Sequence, residues 1–361
     1  MHVAVALSGG IDSLVAAHLL KQQNANLIGI HFLTGYESSD RRAGAEGQGT
    51  RTTVHEPQAR RVARQLDIPL HIVDCRHAFE KQVVAYFVQA YRTGRTPNPC
   101  VWCNRIIKFG AALEASFKLG ATHLATGHYA RIIETDSGPR LQKGADRRKD
   151  QSYFLSMLTA DQLARAVFPL GELRKDRVRQ IAEENALNSA SGRESQDICF
   201  IPGQSYARFL EARHVNHFKP GEITDLQGNV IGRHKGLHRY TVGQRRGLNC
   251  PAEAPYYVVR IDVENNRLVV GFKNTLYKDT CKISRVNWLM PKPDKPVPVR
   301  AKIRYRHREA AGWIEPGPGN TAVIRFQEPQ KAITPGQTAV CYQQDTVAAA
   351  GWIEPEQASI S

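Results

Sequence analysis

With 361 residues the chain is longer than a single hydrophobic core usually accommodates, so we expect two or three domains. A net charge of +15 and an isoelectric point near 9.6 favour a polyanionic partner, most simply nucleic acid. Because no apolar run approaches a membrane span and the N-terminal stretch lacks a basic signal-peptide region, the sequence argues against a membrane or secreted protein.

The first two hundred residues alternate between predicted strands and helices. Apolar runs at 3–7 and 27–33 predict strands, as do "LHIVDC" at 70–75 and "THLATGH" at 122–128. Apolar residues at helical spacing lie between these runs, and Gly120 ends the last predicted helix. The alternation predicts an α/β fold with a doubly wound parallel sheet. The polar segment 34–57 predicts a mobile loop.

The second part of the chain has a different composition. After Pro202, short apolar runs alternate with Gly and Pro, and from residue 281 onward alternating runs predict a small antiparallel β-barrel. We therefore expect a catalytic α/β domain at 1–203, a small central domain at 204–278 and a C-terminal β-barrel domain at 279–361.

The stretch "LSGGIDS" lies between the first predicted strand and the first predicted helix. Two glycines allow the backbone to approach a ligand closely, and the N–H groups and dipole of the helix start attract an anion. Ser8 and Ser13 add hydroxyl groups, and Asp12 is expected either to cap the helix or to face a metal ion. The Lys of a Walker motif is absent, which argues against a P-loop kinase. An ordinary glycine turn is the alternative, but the order strand, loop, helix favours nucleotide binding.

The stretch "TPNPCVWCNR" places Cys100 and Cys103 in a C-x-x-C pair. Such a pair can be a redox couple, half of a zinc site, part of a metal cluster or a nucleophile with a neighbour. Zinc usually takes four ligands and no second pair exists, so no metal site is predicted from spacing. Pro97 and Pro99 predict an extended entry, which argues against a thioredoxin-like pair at a helix start. Seven irregularly spaced cysteines without a secretory signal indicate a reducing cytoplasm.

Several motifs together carry a family resemblance. "SGGIDS" resembles the PP-loop of ATP pyrophosphatases, which cleave ATP between the α- and β-phosphates. The ordered set "GRTPNPCVWCNRIIKF", "ATGHYAR", "KDQSYFL", "ESQDICFIP" and "TVGQRRGL" resembles the bacterial tRNA-specific 2-thiouridylase family within that superfamily. This resemblance covers most of the chain. It implies ATP-dependent 2-thiolation of the wobble uridine in tRNA anticodons, through adenylation of the C2 oxygen.

The resemblance also assigns roles to the thiols. It implies that Cys103 is the nucleophile and Cys199 the persulfide carrier, and that the two form a disulfide once sulfur has left. Many family members have aspartate, a potential general base, where this chain has Cys100. That departure opens an alternative in which Cys100, Cys103 and Cys199 hold a [4Fe–4S] cluster with one open iron. For Cys75, Cys250, Cys281 and Cys341 we expect core packing.

For the nucleotide, the resemblance implies ATP with Mg²⁺. Phe32 stands where the family often has methionine, and its ring can still pack on adenine. The 34–57 loop lacks the usual family cysteine and Asp-Ala pattern, and Glu56 is a candidate substitute for the acidic residue. The residues assigned to ATP are Ala6, Leu7, Ser8, Gly9, Gly10, Ile11, Asp12, Ser13, Phe32 and Gly127.

For RNA, residues 232–247 contain five Lys or Arg and no acidic residue, a pattern that favours phosphate contact over a merely solvated face. The resemblance implies further tRNA contacts by individual residues elsewhere in the chain. A uridine splayed out of the anticodon loop is expected beside residues 98–100. The partners implied are the tRNA anticodon stem-loop and a persulfide-bearing sulfur donor, with the protein as a monomer. The residues assigned to tRNA are Asn98, Pro99, Cys100, His128, Lys149, Asp150, Gln151, Arg304, Tyr305 and Gln337.

Two other functions remain open from the sequence. One is a different PP-loop ATP pyrophosphatase acting on tRNA, such as an amidotransferase or a tRNA-lysidine synthetase. The absence of a glutamine-hydrolysing domain and the presence of Cys103 and Cys199 argue against it. The other is a non-enzymatic RNA-binding or cluster-sensing protein, which would have no use for an intact "SGGIDS".

Overall fold

A computed structural model describes residues 2–37, 58–189, 198–201, 203–213 and 218–356. Most of the predicted 34–57 loop, including Glu56, lies outside these residues. The chain divides into a first unit, Met1–Gln82 with Trp102–Pro202, and a second unit, Val83–Val101 with Gly203–Ser361. Within the described ranges, no helix is both long and apolar enough to cross a membrane.

Helices and strands alternate through the first part of the chain, and strands dominate the second part. The α-helices are α1 (Ile11–Gln22), α2 (Gln58–Gln65), α3 (Arg76–Phe79), α4 (Ala85–Arg92), α5 (Pro99–Cys103), α6 (Leu113–Lys118), α7 (Ser152–Leu155), α8 (Ala160–Ala164), α9 (Lys175–Glu184) and α10 (Tyr206–Arg213). Two π-helical segments (Glu80–Val84 and Asn104–Ala112) and two 3₁₀ turns (Leu237–Arg239 and Lys273–Leu276) accompany them. The strands are β1 (His2–Ala6), β2 (Asn26–Leu33), β3 (Leu70–Asp74), β4 (His123–Ala125), β5 (Ala130–Thr135), β6 (Gly138–Lys143), β7 (Ala166–Val167), β8 (Gly221–Thr224), β9 (Val230–His234), β10 (Tyr257–Asp262), β11 (Arg267–Gly271), β12 (Tyr277–Trp288), β13 (Val297–Lys302), β14 (Ala310–Pro316), β15 (Thr321–Lys331), β16 (Thr338–Gln343) and β17 (Thr346–Ile353).

The first unit contains a five-stranded parallel sheet in the order β3-β2-β1-β4-β7. One apolar cluster packs α1 and α2 against its strands, and a second packs α1 against α9. The apolar runs of β1 and β2 are buried because helices cover the sheet. The predicted doubly wound α/β fold is confirmed. The strand order reverses between β1 and β4, which is where such sheets bind ligands.

The helix predicted to end at Gly120 is less regular than its pattern suggests. It runs as a π-helical segment from Asn104 to Ala112 and then as α6. The Gln162 side-chain amide donates hydrogen bonds to the carbonyls of Arg105 and Phe109 at 2.8 and 2.7 Å. This side chain therefore satisfies backbone groups in the widened turns. Gly120 has a φ of +84° and ends the helix as predicted.

A β-hairpin formed by β5 and β6 also belongs to the first unit and was not predicted. Asp136 and Ser137 form its two-residue connection, and Thr135 pairs with Gly138, whose φ is +93°. The signal was present in the sequence, since Asp-Ser-Gly separates two runs of strand-forming residues.

The second unit contains a four-stranded sheet in the order β10-β11-β8-β9 and a closed barrel of β12 to β17. All barrel strands pair antiparallel, and β12 pairs with both β15 and β17 to close it. Alternate residues of these strands form a buried apolar core that includes Cys281 and Cys341. The predicted C-terminal antiparallel barrel is confirmed.

Candidate active site

The loop after β1 is braced by its own serines. Ser13 Oγ donates a hydrogen bond to the Gly10 carbonyl at 2.9 Å and accepts one from the Ser8 N–H at 3.3 Å. Gly9 has a φ of +87°, and a Cβ there would lie 2.5 Å from the Gln58 Cβ. Only glycine fits this position without displacing α2. The loop conformation is thus specified by Ser8, Gly9 and Ser13 together.

The carboxyl ends of adjacent strands bring the predicted ATP residues to one edge of the sheet. Residues 6–13 run from the last residue of β1 into α1, Phe32 lies near the end of β2, and Gly127 follows β4. A Cβ on Gly127 would lie 2.8 Å from the Asp12 carbonyl carbon, so the two backbones approach closely. The 12-residue helix α1 starts after Gly10, which has no side chain to cap the first-turn N–H groups. This edge therefore fits an anionic ligand such as the phosphates of a nucleotide.

Asp12 lies in a buried ion pair. Its carboxylate accepts hydrogen bonds from Lys175 Nζ at 2.6 and 2.7 Å and from the Tyr129 hydroxyl at 2.7 Å. The Lys175 side chain is 6% exposed and that of Asp12 is 27% exposed. The prediction that Asp12 caps the helix is wrong, since Gly10 is the cap residue. Sequence reasoning missed Lys175, which begins α9 after "LGEL" and carries no motif of its own.

The C-x-x-C pair lies on a helix. Pro99 begins α5, and the Asn98 side-chain oxygen accepts a hydrogen bond from the Val101 N–H at 3.4 Å. Proline is tolerated in the first helical turn, where its missing N–H has no partner to lose. The extended entry predicted from Pro97 and Pro99 therefore stops before Pro99, and the argument that the pair does not lie at a helix start is wrong. Cys100 is exposed and Cys103 is half-buried.

Cys199 lies in a tight turn. The Ile201 N–H donates a hydrogen bond to the Ile198 carbonyl at 2.9 Å, and Cys199 is exposed between them. The protein packed around the thiol raises the pKa of Cys199 above its ordinary value, while the positive charge of Lys108 acts in the opposite direction. Cys199 is thus accessible but is not an activated thiolate.

The structure joins no two of the described cysteines by a disulfide. Nor do the residues it describes contain a group of three or more His, Cys, Asp or Glu side chains that could hold a metal ion. Cys75, Cys281 and Cys341 are buried, and Cys250 packs against the core of the central sheet. The expected packing role of these four cysteines is confirmed.

His128 is a buried neutral histidine. Its Nδ1 and the Thr126 hydroxyl share a hydrogen bond of 2.7 Å, and its ring contacts Phe109 and Phe168. Burial lowers the pKa of His128 well below its ordinary value, and the charge of Lys108 adds to the effect. The assignment of His128 to tRNA stays a prediction, and its imidazole carries no charge for a phosphate.

The Lys149–Gln151 turn is supported from within. Asp150 is buried and accepts hydrogen bonds from the Gly144 N–H and from the Ser152 N–H and hydroxyl. Gln151 accepts a hydrogen bond from the Tyr129 N–H at 2.9 Å. Asp150 thus shapes the turn, and Lys149 and Gln151 are the partly exposed members.

Gln337, in the second unit, contacts the chain just before the C-x-x-C pair. Its side-chain amide donates hydrogen bonds to the carbonyls of Thr96 and Pro97 at 2.9 and 3.3 Å. Arg304 donates to the Lys331 carbonyl, and Lys302 lies 5.7 Å from the centre of the Tyr305 ring. Arg304 and Tyr305 are both half-buried. Their assignment to tRNA, like that of Asn98, Pro99, Cys100 and Gln337, stays a prediction.

The basic segment 232–247 has a buried side and an exposed side. His234, His238 and Tyr240 are buried, so the aromatic side chains of the segment face the core. Arg245 and Arg246 are exposed, and neither forms an ion pair with a described residue. The exposed side of the segment therefore carries basic side chains, Lys235 among them, and its one tyrosine is buried.

Three protein-family models match consecutive parts of the chain. Residues 1–203 match a family model described as the tRNA methyl transferase HUP domain, residues 208–272 a tRNA methyl transferase PRC-barrel domain, and residues 278–353 an aminomethyltransferase beta-barrel domain. The tRNA-specific 2-thiouridylase MnmA of Desulfosudis oleivorans is 48% identical over 98% of this chain and 95% of its own length. The proteins of that name from Syntrophotalea carbinolica and Geotalea uraniireducens are 46% and 44% identical, each over 98% of this chain and over 98% and 94% of their own lengths.

The parallel sheet with a glycine-containing loop at its switch point, followed by a PRC-barrel domain and a β-barrel, defines a HUP-domain protein with two appended β-domains. The high identity to 2-thiouridylases over nearly the full length identifies the family within this class. The chain belongs to the tRNA-specific 2-thiouridylase family, MnmA.

Proposed function

We propose that this protein is a tRNA-uridine 2-sulfurtransferase that thiolates the wobble uridine of tRNA anticodons at the expense of ATP. The observation that carries the proposal is the Ser-braced loop at the switch point of the sheet, in a chain whose full-length relatives are named 2-thiouridylases. The cytoplasm is the proposed compartment, and the protein acts as a monomer.

In the first step the loop binds the phosphates of ATP through backbone N–H groups and the start of α1. The uridine O2 attacks the α-phosphorus and pyrophosphate leaves, which gives an adenylated C2 position. Oxide is a poor leaving group and AMP is a good one, so this step makes C2 electrophilic. Preorganised N–H groups stabilise the charge that develops on the α-phosphate.

Magnesium ordinarily neutralises the phosphates of ATP. The loop residues do not form a magnesium site by themselves, because the Asp12 carboxylate is bound by Lys175 and Tyr129. We therefore assign no step to the ion.

In the second step a persulfide on Cys199, supplied by a donor protein, delivers sulfur. Its terminal sulfur attacks C2, and AMP leaves with the former O2. Cys103 then attacks Cys199 Sγ, which breaks the S–S bond, releases the thiolated uridine and leaves a Cys103–Cys199 disulfide for an external thiol to reduce. Alternatively, Cys103 attacks first and releases hydrosulfide, which attacks C2.

The alternative is a [4Fe–4S] cluster on Cys100, Cys103 and Cys199, whose open iron would bind sulfide. The described residues assemble no such ligand group, so no step is assigned to it. Substitution of Cys100 separates the two routes. In the persulfide route Cys100→Ser is mild, Cys199→Ser adenylates without thiolating, and Cys103→Ser accumulates persulfide. Three equally inactive variants that lose iron together, from an iron-containing parent, would establish the cluster.

The tRNA contacts proposed in the first unit are His128 and Lys149–Gln151, and those in the second unit are 98–100, Arg304, Tyr305 and Gln337. The exposed arginines of 232–247 support an RNA surface in the central domain. The limits of the three matched family models support domain boundaries near 203 and 278.

The test is reconstitution with unmodified tRNA, ATP and a persulfide donor. We expect tRNA-dependent release of AMP and pyrophosphate, and a nucleoside mass that reports exchange of oxygen for sulfur. A methylated nucleoside would support the activity in the family-model descriptions instead. Binding of tRNA without any ATP cleavage would overturn the enzymatic proposal.

A further inference from the structure

Three aromatic rings meet beside Cys199. The Phe200 ring centre lies 5.7 Å from that of Phe79 and 5.8 Å from that of Tyr36, both in edge-on geometry, and Tyr36 and Phe79 are 5.7 Å apart. Phe200 is 2% exposed and Phe79 is 1% exposed. We call Tyr36, Phe79 and Phe200 the aromatic anchor. Each ring contacts the other two, so the anchor restricts Phe200 from two directions.

The rings come from three separate segments, and hydrogen bonds fix the segments of Tyr36 and Phe79 in place. Tyr36 follows β2, and its hydroxyl donates a hydrogen bond to the Glu80 carboxylate at 2.5 Å. Phe79 ends α3, and its N–H donates to the Cys75 carbonyl at 2.8 Å. Phe200 alone comes from the short turn that carries Cys199. The anchor therefore connects that turn to structure near the carboxyl ends of β2 and β3.

The turn places the two neighbouring side chains in opposite environments. The hydrogen bond from Ile201 to Ile198 closes a four-residue turn with Cys199 and Phe200 at its centre. Cys199 is exposed, whereas Phe200 and Ile201 are buried. The turn that carries the thiol is therefore held by its own hydrogen bond, by buried Ile201 and by the packed ring of Phe200.

We propose that Phe200, held by Phe79 and Tyr36, is the positioning residue that sets where the Cys199 sulfur is presented for sulfur transfer. The inference rests on the proposed function and refines it. Phe200 touches no reacting atom, so adenylation does not depend on it. Misplacement of a reacting group by about 1 Å can cost about 100-fold in rate, and loss of the ring is expected to have an effect of that order on thiolation.

The first experiment separates the two half-reactions in Phe200→Ala. We expect thiolation to fall about 100-fold while tRNA-dependent AMP formation and the KM for ATP stay within about twofold of wild type. Phe200→Tyr keeps the ring and should restore thiolation. Phe117→Ala, which removes an exposed ring of the same unit, is the matched control and should leave both half-reactions unchanged.

The second readout is the rate at which Cys199 is alkylated in the absence of tRNA and ATP. Mass spectrometry of the peptide that contains Cys199 measures this rate. Burial by the surrounding protein raises the pKa of the Cys199 thiol. A turn released from the anchor should expose the thiol to solvent, so Phe200→Ala should be alkylated several-fold faster than wild type. Tyr36→Leu removes the least buried ring of the anchor. It should slow thiolation and speed Cys199 alkylation, each by less than Phe200→Ala does. This variant tests the proposal if Phe200→Ala folds poorly.

Wild-type thiolation in a folded Phe200→Ala, or an equal loss of AMP formation and thiolation, would overturn the positioning role. If wild-type protein does not thiolate tRNA at all, the proposed function fails. The alkylation rates then still decide whether the anchor positions Cys199.

Discussion

In the proposed function the loop after β1 in the first unit and the basic segment 232–247 of the second unit both meet phosphate, and the structure equips them in opposite ways. The loop carries one charged side chain, Asp12, and that charge is paired with buried Lys175. The segment buries His234 and His238 and exposes Arg245 and Arg246. If both bind phosphate as proposed, the loop does so by fixed N–H directions and the segment by charged side chains on the surface.

The difference predicts how each region responds to change. Fixed dipoles lose their function when geometry is disturbed, but salt affects them little because the groups are close to the ligand and partly desolvated. Each exposed arginine contributes a small, additive and salt-dependent amount to the free energy of RNA binding.

The largest effect is expected from the loop itself. Asp12→Ala should abolish ATP cleavage while tRNA binding remains. Asp12 lies in the first turn of α1, and its loss removes the hydrogen bonds that join this turn to Lys175 and Tyr129. Ser8→Ala, which removes the acceptor for the Gly10 N–H, should act in the same direction. Pyrophosphate release measures the first outcome and filter binding the second. Wild-type pyrophosphate release in Asp12→Ala would remove this loop from the ATP site.

The next effect concerns the ion pair. Lys175→Met leaves the Asp12 carboxylate unpaired and should destabilise the protein by about 3 kcal/mol, the low end for a broken buried pair because Asp12 is 27% exposed. Adding Asp12→Asn should recover most of this stability without restoring ATP cleavage. Denaturant unfolding of both single variants and the double variant gives the coupling energy. Additive losses would show that the pair contributes no stability.

A smaller effect is expected from the basic segment. Replacing Arg245 and Arg246 together with Gln should lower the slope of log K against log[salt] for tRNA binding by about one to two units, since each phosphate contact contributes about 0.7. ATP cleavage at saturating tRNA should not change. The matched control is Arg177→Gln with Arg179→Gln on α9, where both arginines are exposed but form ion pairs with acidic residues. An unchanged slope in the Arg245/Arg246 variant would place the RNA surface elsewhere.

The smallest effect is a pH dependence of stability. His128 is neutral when folded because burial lowers its pKa well below 6.5, whereas the unfolded chain binds a proton near pH 6.5. The unfolded state therefore binds more protons below that pH, and stability is complete above about 6.5 and falls as the pH is lowered. His128→Gln should flatten this part of the stability curve in urea titrations at several pH values. A curve identical to wild type would mean that His128 is not buried as a neutral imidazole.

Local pattern was sufficient for much of this protein. The apolar runs of β1 and β2 and the alternating strands of the barrel predicted the α/β sheet and the C-terminal barrel, and the glycines after β1 predicted a tight loop between strand and helix. Each of these depends on residues a few positions apart, where hydrogen bonding and side-chain period act directly.

Tertiary structure alone decided what surrounds each predicted residue. The partners of Asp12 lie 117 and 163 positions away, and those of Gln337 about 240 positions away. No local pattern indicates that His128 is enclosed by Phe109 and Phe168, or that Phe200 meets Tyr36 and Phe79. Charge pairing and ring packing are short-range forces between groups that only the folded chain brings together. The sequence by itself therefore determined which residues are available for chemistry, and the fold determined which of them are paired, buried or presented.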